Sequence, residues 1–559
     1  PAINENNPSS SLQATINYLE RKQYGSQSMV ERMFKRRGEW STQFGFPSED
    51  FRRQYDEEGN RLRRMGFGKA FIEQFGFPGP FFIIPLLLGL FGFWEVIRKN
   101  PARGVILFSL MLIGSAGLVL YMNFADGTRI NPQTGGDYLE VRIRDYFFTP
   151  AFVVFGMAIG LGIAAAVYYI RDAVSRLAPV IRKAAVAVAS VLFFLPVFTI
   201  AGNYHHADRT DNYLPYDYAY NLLTSADENA IFFTSGDNDT FPLWCLQQVY
   251  NVRPDVKNVN LSLANTRWYI KQLRSILGVT FSLTDQEIDQ LRPFRTRDGT
   301  VFKLQDQVID IIMTENFGRT PINFSVTVGS SARKYKGRSL DSLLSLKGMS
   351  WRVNDTVRNL GVDIEESYEL FTNPDKFQYR HLNDPDVYLN ETSTRLAKNL
   401  ANGFLVLGDA LRMRKDFERS EALVLRARQL IPSAKAPLKF ISRLYYDQRK
   451  DAELKALIDT VNLDDKTYMY VLLAQTYSAI GDNSRAEAVL KLQLSLEPTN
   501  RTLFDELMRF YLRDMRLNAM RAEIKKWLQQ NPHDEQVREI YRDLERAVNR
   551  GDTSREAGR

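Results

Sequence analysis

Four long apolar stretches separated by short polar loops constrain this chain more than any other feature of its sequence. They run from Pro78 to Ile97, from Gly104 to Met122, from Ala151 to Ile170 and from Ala184 to Gly202. A helix needs about 20 apolar residues to cross the hydrocarbon core of a bilayer. Within these stretches only Glu95, near the end of the first, carries a charge. Buried helices of a soluble protein are the alternative, but four such stretches favour an integral membrane protein.

The loops between the stretches predict an orientation. The first loop, 98–103, has only basic charges, and the third, 171–183, has four basic residues against Asp172. The middle loop, 123–150, is mixed and slightly acidic. Because cytoplasmic loops are enriched in Lys and Arg, the two basic loops are expected in the cytoplasm. The segment before Pro78, the middle loop and everything after Gly202 are then expected outside, in a periplasm or lumen.

Two further patterns fit the membrane prediction. Five tyrosines follow the fourth stretch, as expected for an aromatic belt at the membrane interface: Tyr204, Tyr213, Tyr216, Tyr218 and Tyr220. Gly156 and Gly160 form a small-xxx-small pair in the third stretch, which predicts close helix packing.

Composition excludes several classes of protein. The 559 residues carry a net charge of +7, but many basic residues flank the apolar stretches, so a nucleic-acid partner is not expected. A single cysteine, Cys245, rules out an internal disulfide. His205 and His206 are adjacent, whereas His381 and His533 are isolated, so the histidines form no zinc-binding pattern. They also give no basis for a Ser-His-Asp or Cys-His site.

The predicted fold class is multi-domain: an α-helical membrane bundle of four spans, then a periplasmic α/β domain and an α-helical tetratricopeptide-like solenoid. The expected boundaries are an outer segment 1–77, four membrane helices over 78–202, the α/β domain 203–395, the helical repeats 396–548 and a disordered tail 549–559.

The α/β domain is predicted from a strand–helix–strand–helix pattern. Residues 230–235 are expected to form a buried strand, and a Gly-Asp-Asn-Asp-Thr turn leads into a helix from Phe241 to Tyr250. A second strand, Val256 to Ser262, and a helix, Arg267 to Leu277, follow. This spacing predicts a βαβ unit with parallel strands. Farther on, 300–305 and 321–328 are expected to be strands, with a helix over 306–317 between them.

Ligands often bind at the carboxyl ends of parallel strands, which draws attention to Asp237, Asn238 and Asp239. An Asp-x-Asp pattern after a strand suits a divalent metal, Mg²⁺ or Mn²⁺, as in many nucleotide-sugar transferases. Alternatively, Asp239 is a helix N-cap with Pro242 in the first helical turn. The sequence suggests no other cofactor and does not require this one.

Basic residues beside the membrane suggest lipid contacts. Arg142 and Arg144, just before the third stretch, point the same way in an extended chain. Because guanidinium groups match phosphate geometry, the pair is a candidate clamp for a lipid phosphate. The alternative is an ordinary salt-bridged membrane border. The basic clusters 31–37 and 61–64 predict attraction to lipid headgroups, or else a solvated face.

The region 396–548 is predicted to contain helical repeats. Pro432, Pro498 and Pro532 are separated by 66 and 34 residues, close to two periods and one period of a tetratricopeptide repeat. The best repeat has small, aromatic and turn residues at the expected places: Ala474, Tyr477, Gly481 and Ala486. A binding surface or a spacer is expected, and the sequence identifies no ligand for it.

Three stretches resemble a known family. They are PAINENNPSS at the start, VRIRDYFFTP before the third span and the segment beginning FFTSGDNDTFPLW in the α/β domain. They are similar to the bacterial "domain of unknown function 2723" membrane proteins, which are related to animal transmembrane protein O-mannosyltransferases. The resemblance covers nearly the whole chain. It implies a GT-C type glycosyltransferase in the bacterial inner membrane, with a polyprenyl-phosphate-linked sugar as donor and a periplasmic protein as acceptor.

The resemblance also implies that the catalytic acidic residue lies in the first outer loop, upstream of Pro1. Asp126 and Asp145 are expected on the outer side but do not occupy that loop. No catalytic base is therefore assigned within this chain. Arg142 and Arg144 would meet the lipid phosphate, and Asp237 with Asp239 would shape a sugar or acceptor site. Two alternatives remain: a non-catalytic envelope scaffold that binds protein or glycan, and a separate metal-dependent activity of the α/β domain.

Overall fold

The computed structural model describes residues 11–19, 34, 67–75, 83–122, 129–130, 137–138, 145–296, 299, 301–432, 436–448, 450–459, 463–479 and 481–556. The chain divides into two compact units. The first contains Pro1–Leu344, Ser350–Asn359 and Gln378–Leu396, and the second contains Ser345–Met349, Leu360–Phe377 and Ala397–Arg559. The apolar helices and most of the α/β region therefore belong to one compact unit.

The described residues in the amino-terminal part of the first unit are mainly helical. Its helices are α1 (Leu12–Leu19), α2 (Phe67–Phe75), α3 (Ile83–Lys99), α4 (Pro101–Leu112), α5 (Leu118–Met122), α6 (Thr149–Ala173), α7 (Pro179–Ser190) and α8 (Leu195–Ala207). A π-helical turn, Ile113–Gly117, joins α4 to α5. Strands β1 (Arg129–Ile130) and β2 (Asp137–Tyr138) pair in antiparallel fashion.

Three helical segments of the described chain are long and apolar enough to cross a membrane: Pro101–Leu120, Tyr146–Ala173 and Pro179–Ala207. They contain the third and fourth predicted stretches and all but the last two residues of the second, and they fit a membrane protein. The first stretch forms α3, which has 17 described residues from Ile83 to Lys99. Residues 78–82 lie outside the described part of the chain. The count of four spans therefore stays a prediction.

Helices α3 and α6 pack closely through residues other than the predicted glycine pair. A Cβ on Gly162 would lie 2.0 Å from the Leu88 carbonyl oxygen, so only glycine allows this approach. Gly160, by contrast, is exposed, with no described atom within 4 Å of an added Cβ. The interpretation of Gly156 and Gly160 as the packing pair is wrong, because the buried stripe of α6 runs through Phe155, Ala158 and Gly162.

The charged residue of the first apolar stretch is neutralised locally. The Glu95 carboxylate lies 2.6 Å from Lys99 Nζ and 3.0 Å from Arg98 Nη2. Tyr169 of α6 donates a hydrogen bond to Glu95 Oε1 over 2.8 Å. These contacts satisfy a side chain that is only 6% exposed, and they join the carboxyl ends of α3 and α6.

The α/β region is built around parallel strands, as predicted. Its helices are α9 (Leu214–Ser225), α10 (Asp237–Val249), α11 (Arg267–Ser275), α12 (Asp285–Gln290) and α13 (Leu304–Asn316). Its strands are β3 (Ile231–Thr234), β4 (Lys257–Asn260), β5 (Phe294–Arg295), β6 (Val301–Phe302), β7 (Ile322–Ser325), β8 (Lys334–Tyr335), β9 (Arg338–Ser339), β10 (Leu344–Lys347), β11 (Ser350–Val353) and β12 (Gly361–Val362). Strand β3 lies between β4 and β7 and is parallel to both, which confirms the predicted βαβ unit. Strand β11 pairs with β7 in antiparallel fashion.

The two faces of this sheet differ in polarity because side chains alternate along each strand. One face is the apolar core, where Phe233 and Phe324 stack with ring centroids 4.8 Å apart. Helices α11 and α13 cover it through Ile270 and Ile309. The other face carries buried polar side chains, including Thr234, Asn258, Asn260, Asn323 and Ser325. The predicted strand 300–305 is shorter than expected, because α13 already begins at Leu304.

The second unit is mainly helical. Strands β10 and β12 pair in parallel, and the helices are α14 (Ile364–Thr372), α15 (Glu391–Met413), α16 (Phe417–Leu430), α17 (Ala436–Asp447), α18 (Asp451–Asp459), α19 (Leu463–Ala479), α20 (Asn483–Leu496), α21 (Arg501–Arg513), α22 (Leu517–Gln530) and α23 (Glu535–Glu556). Pro432, Pro498 and Pro532 each follow the end of a helix by two residues, as the repeat pattern requires. The tetratricopeptide solenoid itself stays a prediction. Residues 549–556 are helical rather than a disordered tail, because α23 continues without interruption to Glu556.

Candidate functional site at the carboxyl edge of the sheet

The carboxyl ends of three parallel strands bring polar side chains to one edge of the sheet. Thr234 ends β3 and is in register with Asn260, which ends β4. Ser325 ends β7, the parallel neighbour on the other side of β3. All three side chains are fully buried. Parallel strands place their carboxyl ends together, so this edge is where the fold favours a ligand.

Asp239 enters this edge from the first turn of α10. The helix begins at Asp237, directly after Gly236, whose φ of +82° favours glycine. Asp239 is only 2% exposed. Its Oδ2 accepts a hydrogen bond from Ser325 Oγ over 3.2 Å and a second from Thr327 Oγ1. The fold thus joins the turn after β3 to the end of β7.

The alternative prediction for Asp239 as an N-cap is wrong. The helix starts four residues before Phe241, and Gly236 occupies the N-cap position. Asp239 is therefore the third helical residue and Pro242 lies inside the helix. Acidic residues in the first turn interact favourably with the positive end of the helix dipole, which helps the helix start at Asp237.

Burial raises the pKa of Asp239 to about 6, because the carboxylate loses water that the protein does not fully replace. Hydrogen bonds from the Thr327 and Ser325 hydroxyl groups act in the opposite direction and limit the shift. A carboxyl group whose pKa is raised by burial is a feature shared by functional sites and by buried structural carboxylates.

A second set of hydrogen bonds lies next to Asp239. The Thr234 and Thr240 hydroxyl groups are 2.8 Å apart, and Thr234 Oγ1 donates to Asn258 Oδ1 over 2.8 Å. Asn260 Nδ2 donates to Thr240 Oγ1 over 2.9 Å. The buried Asn258 Nδ2 has no hydrogen-bond partner among the described residues. These hydroxyl and amide groups are fully buried and bond mainly to one another, so they form a polar network beneath the edge at which Asp237 and Asn238 are exposed.

Asp237 and Asn238 occupy a different environment from Asp239. Both are exposed at the start of α10, whereas Asp239 turns into the sheet edge. The described residues contain no group of three His, Cys, Asp or Glu side chains that could hold a metal ion. Two hydroxyl donors also occupy Asp239 Oδ2. The described residues at this edge therefore do not fit a Mg²⁺ or Mn²⁺ site.

The proposed phosphate clamp cannot be placed. Arg142 and Arg144 lie outside the described residues. The described chain resumes at a short 3₁₀ turn, Asp145–Phe148, which leads into α6. Within that turn Tyr146 is 61% exposed and Phe148 is buried.

Sequence reasoning did not identify Ser325, Thr327, Asn258 or Asn260 as site residues. A signal was present, because polar residues alternate at period two within otherwise apolar strands. One segment has polar residues at every second position: Asn323, Ser325 and Thr327. A second segment has the same pattern at Asn258 and Asn260. The alternation indicates a polar face but does not tell which helix covers it.

Residues 215–277 match the family model of TMEM260-associated domain 2. The matched segment contains α9 from its second residue, β3, α10, β4 and α11. It includes Asp239, Thr240, Asn258 and Asn260, but it ends before Ser325 and Thr327.

Proposed function

We propose that this chain is the carboxyl-terminal part of a membrane-embedded glycosyltransferase, similar to protein O-mannosyltransferases. It would transfer a sugar from a polyprenyl-phosphate donor to a periplasmic protein. One observation supports the proposal. The segment that matches the TMEM260-associated domain contributes Asp239, a buried carboxyl group with a raised pKa, to the edge of the sheet, and it belongs to the same compact unit as the apolar helices.

The proposed reaction is the attack of a Ser or Thr hydroxyl group on the anomeric carbon of the sugar. A carboxylate would accept the hydroxyl proton as general base, and the lipid phosphate would leave. Arg142 and Arg144 are proposed to stabilise the charge that develops on that phosphate. Asp237, Asn238 and Asp239, with the hydroxyl and amide groups near Asp239, are proposed to bind the sugar or the acceptor. No residue of this chain is assigned as the general base.

The proposed location is the bacterial inner membrane, with the α/β region and the helical repeats in the periplasm. The basic loops 98–103 and 171–183 support this orientation. The second compact unit would bind the acceptor protein or a partner. Its successive helices, three of which are followed by a proline, suit such a binding surface.

Deletion of the gene in the source bacterium tests the proposed activity. Envelope proteins of the deletion strain, the wild type and a complemented strain would be compared by mass spectrometry for hexose on Ser and Thr. We expect hexose on a defined set of periplasmic proteins to disappear on deletion and to return on complementation. Unchanged glycosylation in the deletion strain would overturn the proposal.

A non-catalytic scaffold is the second candidate, and the mainly helical second unit favours it. It predicts that deletion alters the abundance or assembly of envelope proteins while their hexose content stays the same. The same comparison of strains therefore separates the two functions.

A further inference from the structure

Helices α9 and α10 expose an aromatic and apolar surface to solvent in the first compact unit. We define the aromatic face by Tyr213, Tyr216 and Tyr220 on or beside α9, and by Phe241, Val249 and Tyr250 on or beside α10. Phe241 is 46% exposed, Val249 70% and Tyr250 57%. Large apolar side chains in such numbers on neighbouring helices usually mark an interaction surface.

Contacts across the two helices make this face continuous. The Tyr216 and Tyr220 rings are nearly parallel, with centroids 6.3 Å apart, and the Tyr216 and Tyr250 centroids are 5.5 Å apart. Phe241, Cys245 and Val249 follow one another at intervals of four residues, so they form one stripe along α10. Tyr218, which the sequence assigned to the same belt, is 1% exposed and belongs to the core instead.

The aromatic face also lacks the charges of a helix that faces water. After Asp239 no residue of α10 is charged, and its exposed positions are Phe241, Cys245, Gln248 and Val249. Helix α11 differs, because it carries the partly exposed Arg267, Lys271 and Arg274, and the last two form ion pairs with Asp289 and Asp285. A helix exposed to water normally carries charged residues on its outer face. The contrast indicates that α10 faces something less polar than water.

The aromatic face lies close to the end of α8, the last apolar helix. This closeness indicates that the less polar environment is the membrane. Helix α8 ends at Ala207, and Tyr213 follows six residues later. Even a fully extended chain spans no more than about 20 Å over that distance. Tyrosine rings favour the headgroup layer of a bilayer. The Arg380 guanidinium, which is paired with Asp217, lies 4.2 Å from the Tyr213 ring centroid and 4.9 Å from that of Tyr216, so it holds both rings in place.

We propose that α9 and α10 lie along the membrane surface, with the aromatic face in the lipid headgroup layer. Asp237 and Asn238, at the amino end of α10, would then be at the lipid interface together with the polar edge of the sheet. A sugar linked to a lipid phosphate is presented at that depth. This last consequence rests on the proposed function, whereas the membrane contact itself does not.

Cys245 gives a direct test, because it is the single cysteine of the chain, it is exposed, and it lies in the stripe of α10. A nitroxide label on Cys245 of this 559-residue chain in lipid nanodiscs would be examined by electron paramagnetic resonance. Its collisions with oxygen, which concentrates in the bilayer, would be compared with those of a water-soluble nickel chelate. The matched control is a Cys245→Ser, Ser275→Cys variant, whose label lies at the exposed end of α11.

We expect the label on Cys245 to be several-fold less accessible to the nickel chelate than the control label, and more accessible to oxygen. Equal nickel accessibility at the two positions would overturn the proposal. Low accessibility to both reagents at Cys245 would also overturn it, because that result means that protein covers the face. None of these outcomes depends on glycosyl transfer, so a negative result here leaves the proposed function to its own test.

Discussion

Gly92 of α3 lies against the backbone of Ala158 in α6: a Cβ on Gly92 would come within 1.9 Å of the Ala158 carbonyl oxygen. A backbone carbonyl in a helix cannot move away without breaking its own hydrogen bond. The two helices therefore cross at a distance that only glycine permits, which is typical of helix packing in membranes.

Replacing Gly92 with alanine should destabilise the helical bundle. The expected loss is about 1–3 kcal/mol, because the helices must separate to accommodate the methyl group. Thermal unfolding of the purified protein in detergent measures it as a lower midpoint. Gly160→Ala is the matched control, since no described atom lies within 4 Å of its added Cβ. A Gly160→Ala midpoint as low as that of Gly92→Ala would contradict the packing described above.

Asp239 should make stability depend on pH in the opposite sense from most carboxylates. The pKa of Asp239 is raised to about 6 in the folded protein, from 3.8. Its protonated form therefore contributes stability below about pH 4, and this contribution is lost as pH rises through about 6. The loss approaches about 3 kcal/mol for a shift of this size.

Asp239→Asn should remove this pH dependence. Thermal midpoints of the two proteins would be measured between pH 4 and pH 8. We expect the wild type to lose stability relative to Asp239→Asn as pH rises through 6. Asp237→Asn is the control, because Asp237 is exposed. If wild type and Asp239→Asn keep a constant difference over this range, the raised pKa is wrong.

The ion pair between Arg380 and Asp217 should stabilise the start of α9. Asp217 Oδ1 accepts from Arg380 Nη2 at 2.5 Å and from Nε at 3.0 Å, and Oδ2 accepts from the Arg380 backbone N–H at 2.7 Å. The Asp217 side chain is only 3% exposed. Arg380→Met should cost about 2 kcal/mol, because it leaves a buried carboxylate without its charged partner.

The double variant Arg380→Met, Asp217→Asn tests the cause of that loss. Asparagine carries no charge and can still accept the hydrogen bond from the backbone of residue 380. We therefore expect denaturation midpoints to recover part of the stability lost in Arg380→Met. A double variant less stable than either single variant would show that the unpaired charge is not the source of the loss.

Arg144 should affect donor use rather than folding, if it binds the lipid phosphate as proposed. In the gene expressed at full length, Arg144→Ala should lower sugar transfer from the polyprenyl-phosphate donor by about tenfold or more, since charge-assisted contacts to an anion contribute about 1.5–3 kcal/mol. Arg144→Lys should retain part of the activity, because it keeps the charge but not the fork geometry. Normal transfer by Arg144→Ala in vesicles would remove Arg144 from the phosphate site.

Much of the local structure followed from the sequence. The apolar stretches predicted the helices α3 to α8, and the spacing of apolar runs predicted β3, α10, β4 and α11 in the right order with parallel strands. Prolines predicted three helix ends in the second unit. These features depend on residues within a few positions of one another, so that periodicity and backbone restrictions are sufficient to predict them.

The place of Asp237, Asn238 and Asp239 in the fold was predicted only in part. The pattern located them after β3, but it did not distinguish the buried Asp239 from its exposed neighbours. The start of α10 decided that, because beginning at Asp237 rather than Phe241 turns Asp239 inward and leaves its neighbours in solvent. Gly236, with its positive φ, permits this early start.

Local sequence patterns were sufficient to predict several helices and strands and the segments that suit a membrane. Which distant residues meet depends on the tertiary structure. Ser325 and Thr327 are 86 and 88 residues from Asp239, yet both donate hydrogen bonds to its carboxylate. Gly92 and Ala158 are also far apart in sequence, yet their backbones pack against each other where α3 and α6 cross. Local preferences act over a few residues, whereas these contacts depend on strand order and helix crossing, which the whole packed core selects.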